Sequence, residues 1–137
     1  MERDATAAFK RLTTEPTYAG LRINESYGLS IVDRERRTVT IRSAGAEQIV
    51  ALALIDGLNR AARKQGPVII DTPLGRLDPA HRTNVLDYLP AMAGQLVLLV
   101  HEGEIDKATG LARLAHRIGG VYEIRRISSS HSQLVRE

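Results

Sequence analysis

The chain has no cysteine and no tryptophan, a single phenylalanine, and three lysines among its 19 basic residues. The missing thiols exclude a disulfide framework, a thiolate-ligated zinc site and a cysteine nucleophile, and they fit a cytoplasmic setting. No apolar run approaches the roughly 18 residues that a membrane-spanning helix needs, and the N-terminus lacks a basic-then-apolar signal pattern. The expectation is a protein that neither spans a membrane nor is secreted. Charge of one sign is scarce too: 19 basic against 16 acidic residues leave +3, too little to mark a nucleic-acid binder without a clustered basic face. The bias to arginine favours planar, bidentate contacts with carboxylate or phosphate, and a GC-rich genome produces the same bias. What is present, 137 residues at 43% hydrophobic and 26% charged, suffices for one globular domain.

The pattern of apolar residues divides that domain, 1–137, into two parts and a tail. Residues 4–12 follow a helical pattern that stops at Thr14-Glu15-Pro16. Leu21, Ile23, Tyr27, Leu29, Ile31, Val39 and Ile41 then alternate with polar residues, which predicts a β-meander with turns at 24–26 and 33–37 and one wet face. Beyond residue 42 the pattern predicts a helix over 46–64, a strand over 68–71, a helix over 79–89, a strand over 96–100, a helix over 104–118 and a strand over 121–127. Strands alternating with helices imply βαβ units and an α/β fold. The runs Val68-Ile69-Ile70 and Leu96-Val97-Leu98-Leu99-Val100 are apolar throughout, as in parallel strands covered on both faces. Asp78-Pro79 supplies a cap and a first-turn proline, and Gly119-Gly120 a stop. Residues 128–137 read as a polar tail.

Two parallel strands joined by one crossover end at the same sheet edge, and ligands of open α/β sheets bind at that edge. Asp71 and His101 fall there; a turn-forming aspartate and a structural strand-end histidine are the plainer alternatives. An apolar strand ending in aspartate has the form of a Walker B motif, whose carboxylate holds the magnesium ion of a bound nucleotide. Leu77-Asp78 follows Asp71 by seven residues, His101 by 30, and Ser43-Ala44-Gly45-Ala46-Glu47-Gln48 precedes it by 28 at the start of a long apolar helix. This ordered set resembles the C-terminal lobe of an ABC-type ATPase head, as in structural-maintenance-of-chromosomes (SMC) and double-strand-break-repair ATPases, with signature motif, Walker B, D-loop and H-loop in sequence. Within that superfamily the string from Val68 to Asp78, VIIDTPLGRLD, followed by His81-Arg82, resembles the DndD family of DNA sulfur-modification ATPases over about residues 7–130.

The resemblance implies roles. Ser43, Gly45 and Gln48 would meet the γ-phosphate of a nucleotide held by a second head, with backbone N–H groups and a hydroxyl at a helix N-terminus. The plainer use of Ser43 is as an N-cap. Asp71 would hold Mg2+. Arg76, Leu77 and Asp78 would form the D-loop facing the partner head, with His81 nearby, and His101 would contact the γ-phosphate. The sequence departs from the pattern at Ala46, where an acidic residue is usual, and at Arg42, where leucine is usual. Thr72 stands where most such heads place a glutamate base, and a threonine cannot take a proton at neutral pH. The DndD-like sequences share it. Glu102 and Glu104 are the carboxylates available for catalysis, or else first-turn acids favoured by the helix dipole.

No GxxxxGK[ST] loop occurs, so the chain lacks the cradle for nucleotide phosphates. The expected whole is a lobe that pairs with an N-terminal Walker A lobe and then, in a homodimer of heads, sandwiches ATP and Mg2+. It would be an ATPase only when so completed, coupled to DNA and to other sulfur-modification proteins in phosphorothioate modification or defence. The alternatives are a non-hydrolysing, nucleotide-dependent dimerisation module and a repair or chromosome-organising head. Arg22, Arg34, Arg36, Arg37, Arg125 and Arg126 offer phosphate contacts, but interleaved acids and the lack of an aromatic platform favour a solvated face. His116 and His131 fit no metal spacing.

Overall fold

The structure, a computed structural model, describes residues 1–40 and 43–137. Ile41 of the predicted meander and the signature departure Arg42 lie outside the described residues. Helix α1 (Glu2–Leu12) turns Ala5, Ala8, Phe9 and Leu12 inward at helical spacing, and Phe9 stacks on Tyr18 with ring centroids 6.0 Å apart. This stretch is therefore a packed helix of the core. Strands β1 (Tyr18–Ile23) and β2 (Leu29–Asp33) pair antiparallel, from Tyr18 opposite Asp33 to Ile23 opposite Leu29. The Thr6 hydroxyl donates to the Leu21 carbonyl and accepts from its N–H, pinning α1 to β1. Among the described residues the meander's third strand is one bridge, Val32 with Thr38, beyond a tight turn in which the Asp33 carboxylate gathers the Glu35 and Arg37 N–H groups.

Helix α2 (Ala44–Ala61) lies along α1 and buries Ile49, Val50, Leu52, Ala53, Asp56 and Gly57. The crossing is close because Gly57 has no side chain: a β-carbon there would sit 2.8 Å from the Ala5 backbone nitrogen. Strands β3 (Val68–Asp71) and β4 (Leu96–Leu99) pair in parallel, with Val68, Ile69, Ile70 and Asp71 opposite Leu96, Val97, Leu98 and Leu99. Helix α3 (Pro79–Tyr88) connects them through a 3-10 turn at Leu89–Ala91. One continuous cluster from Ala5 and Phe9 through Ile31, Leu52 and Ile70 to Leu89 and Leu114 forms the core.

Three expectations give way. The two central strands are covered on one face only: Ile69 is 66% exposed, Val97 38% and Leu99 42%. The helix predicted over 104–118 shrinks to α4 (Gly110–Leu114) and a 3-10 turn at Ala115–Arg117. Gly103 adopts φ 80°, and the Asp106 carboxylate takes the Ala108 N–H and the Thr109 hydroxyl, so local side-chain bonds outcompete the helix across 103–109. The polar tail is instead structured, since β6 (Ser132–Arg136) pairs antiparallel with β5 (Tyr122–Arg126), Ile124 opposite Leu134.

Candidate functional site

The carboxyl ends of β3 and β4, the start of α2 and the segment 72–78 converge. Asp71 is the last residue of β3, and Leu99, its register partner, lies two residues before His101. Both side chains are exposed, and neither makes a hydrogen bond or ion pair among the described residues. Alternation along a strand puts Asp71 on the same face as Ile69, Val97 and Leu99. The uncovered apolar face of the sheet thus runs directly up to the carboxylate.

Chain geometry turns sharply after Asp71. The Thr72 N–H donates to the Leu99 carbonyl at 2.8 Å, and Thr72 itself sits at φ 47°, in the left-handed region that a β-branched residue avoids. Such a conformation costs about 1–3 kcal/mol and persists only where surrounding contacts fix it. Gln48 supplies two of those contacts: its amide nitrogen donates to the Thr72 carbonyl at 3.0 Å and to the Pro73 carbonyl at 2.6 Å. Gln48, expected at the nucleotide of a second head, spends both amide donors on this loop in the chain by itself. Gly45, one turn earlier on the same face of α2, packs against the loop as well, where a β-carbon would lie 3.2 Å from the Arg76 carbonyl oxygen. Ser43 caps α2, its hydroxyl oxygen accepting from the Ala46 N–H at 3.1 Å, and remains exposed.

The two glutamates after β4 separate. Glu102 is exposed with its carboxylate unpaired among the described residues. Glu104 is buried, accepting from the Leu74 N–H at 2.6 Å with one oxygen and from the His101 N–H at 3.2 Å with the other. With both oxygens engaged by backbone donors, it has a different occupation from the catalytic one expected of it.

Along the expected D-loop, Leu77 is 5% exposed and belongs to the core, with its side chain packed against the start of α2. Arg76 is exposed. Asp78 caps α3, one oxygen accepting from the Ala80 and His81 N–H groups and the other meeting His81 Nδ1. These bonds, the His81 N–H foremost, hold its carboxyl below the usual carboxylate range. His81 Nε2 accepts from the Thr14 N–H at 3.3 Å, which leaves the ring proton of the neutral tautomer on Nδ1, aimed at Asp78. Asp78 and His81 thus tie α3 to the end of α1, as the capping role required.

A Mg2+ ion bound with a nucleotide keeps several waters and takes one or two carboxylates beside the phosphates. A single exposed, unpaired Asp71 fits that requirement, and among the described residues no cluster of three His, Cys, Asp or Glu forms a cage that would hold a metal without phosphates.

This chain overlays almost completely on known structures. One, from work on ATP-driven dimerization and DNA-stimulated activation of SMC ATPases, matches with TM-score 0.68 and 16% identity over 99% of this chain and 82% of that one. The fold is that of an SMC ATPase head. The Smc head of Pyrococcus furiosus, with an extended coiled coil and bound to the C-terminal domain of ScpA, has TM-score 0.66 and 17% identity over 99% of this chain. The Smc head of Pyrococcus yayanosii with a coiled coil and joint has TM-score 0.67 and 18% identity over 98%. This chain spans 34% and 26% of those two Smc chains, which also carry coiled coils. No protein-family model and no curated protein matches the sequence. Sequence reasoning missed the loop contacts of Gln48 and Glu104, because their partners lie 24 to 30 residues away in the chain.

Proposed function

We propose that this chain is the C-terminal half of an SMC-like ABC ATPase head, completed by a lobe that carries the phosphate-binding loop. The supporting observation is the bare apolar face of β3 and β4 ending at Asp71. Parallel strands are ordinarily covered on both faces, and a lobe seated on Ile69, Val97 and Leu99 brings its own groups beside that carboxylate. Asp71 would then be a ligand of Mg2+ and His101 a contact of the terminal phosphate, while exposed Ser43 and the first turn of α2 face the nucleotide of a second head. Bound Mg2+ would supply charge neutralisation at the phosphates. The finer assignment to DNA phosphorothioate modification or defence is carried by the string from Val68 to Asp78 alone.

Thr72 and the engaged Glu104 favour a second reading, a nucleotide clamp that dimerises without turnover; Glu102 is the carboxylate left to act as base. Magnesium-dependent ATP hydrolysis distinguishes them, measured on this chain alone, on the chain mixed with a Walker A lobe, and on mixtures carrying Asp71→Asn, Ser43→Arg or Glu102→Gln. The half-head reading expects no activity alone and activity in the mixture. It also expects that activity to vanish with the first two substitutions and to fall about a hundredfold or more with the third. Dimerisation on ATP without hydrolysis establishes the clamp; no ATP binding in the mixture sinks both.

A further inference from the structure

We propose that Gln48 and Glu104 are positioning residues that clamp the segment 72–77 between α2 and the end of β4. The first turn of α2, the segment after Asp71 and the turn at His101 are thereby made to move as one body. Gln48 holds the segment by its carbonyls and Glu104 holds it by an N–H, so it is gripped by one side chain from α2 and one from the turn after β4. Glu104 extends the grip, since its second oxygen takes the N–H of His101. The close seat of Gly45 under the Arg76 carbonyl completes it on the α2 side.

The arrangement is costly for local structure, and the cost indicates its purpose. Two carbonyls oblige the NH2 end of the Gln48 amide to face them, leaving its Oε1 buried without a donor. Thr72 is held at φ 47°, where its β-carbon is unfavourable. Both features are stable only while the clamp is closed. The functional meaning rests on the half-head reading. If Ser43 at the start of α2 faces one nucleotide and Asp71 and His101 another, the clamp joins the two sites within one chain, and a shift at one is delivered to the other. The clamp itself is a property of this chain without nucleotide.

Amide hydrogen exchange of the chain alone tests it, followed at Leu74, His101 and, as a control, Phe9. Gln48→Met keeps the side chain's length and removes its donors. It is expected to speed exchange at Leu74, whose N–H bonds Glu104 and shares a peptide group with the Pro73 carbonyl that Gln48 holds, by about tenfold, the scale of one buried hydrogen bond, while Phe9 stays unchanged. Glu104→Gln offers one acceptor and turns an NH2 group on the other N–H, and speeds Leu74 or His101 similarly. Thr72→Gly in the Gln48→Met background relieves the left-handed strain and returns Leu74 to within about twofold of the parent. Unchanged Leu74 exchange in Gln48→Met, or acceleration that Thr72→Gly leaves in place, overturns the clamp. A chain that exchanges normally in this test but whose completed head never binds ATP overturns the half-head reading and leaves the clamp standing.

Discussion

Tyr88 keeps its phenol proton well into alkaline solution. Burial, and then the hydrogen bond its hydroxyl donates to Asp56 at 2.7 Å, raise its pKa to about 12. Fully buried Asp56 also takes Arg60 Nε at 2.7 Å, and Arg11 lies over the Tyr88 ring at 4.9 Å, so the phenol joins three elements. An unfolded tyrosine ionises near pH 10, about where the folded one is still neutral, so this contribution is intact below pH 10 and is lost as pH rises toward 12. Urea unfolding at pH 9, 10 and 11 is expected to show a steeper loss of stability in the parent than in Tyr88→Phe. At neutral pH the variant is expected to be less stable by about 1–2 kcal/mol. At this scale the caps were legible: Ser43 and Asp78 are short polar residues immediately before helices, and both bond their own first turns. The destinations of Gln48, Asp56 and Glu104 were not. Gln48 and Asp56 stand on an apolar helix and Glu104 in a polar turn, and each meets a partner 24 to 32 residues away that tertiary packing fixes and no local pattern encodes.

At the scale of elements, the crossing of α1 and α2 depends on Gly57. Inside most helices alanine is better than glycine by about 1 kcal/mol, yet here the added carbon meets the Ala5 backbone at 2.8 Å and α1 must retreat. Gly57→Ala is expected to destabilise by about 1–3 kcal/mol in urea titration; a stabilised variant would show that α1 is not held at this distance. Helix and strand positions from 44 to 99 follow from apolar period and breakers, because there the buried face alone decides the element. The region from 103 to 136 does not. Asp106 and Gly103 divert the chain from a helix, and β6 alternates weakly, with Leu134 standing 63% exposed, so its identity comes from pairing with β5.

At the scale of the molecule, the bare face of β3 and β4 separates stability from assembly. Because Ile69 and Val97 lie on the uncovered face, 66% and 38% exposed, Ile69→Lys or Val97→Lys should leave the thermal midpoint within a few degrees of the parent while preventing capture by a Walker A lobe in size-exclusion chromatography. Undiminished capture by both variants places the docking surface elsewhere. The three sheets described have two strands each, so nearly every strand presents an unpaired row of N–H and C=O groups along one side, relieved only by the bridge at Val32. On β5 and β6 the charges of Arg125, Arg126 and Arg136 deter foreign strands, whereas the runs 68–70 and 96–99 carry no charge. Self-association of the isolated chain, where it occurs at high concentration, is therefore expected at that one sheet, and its solubility will report how well its open backbone rows are kept occupied.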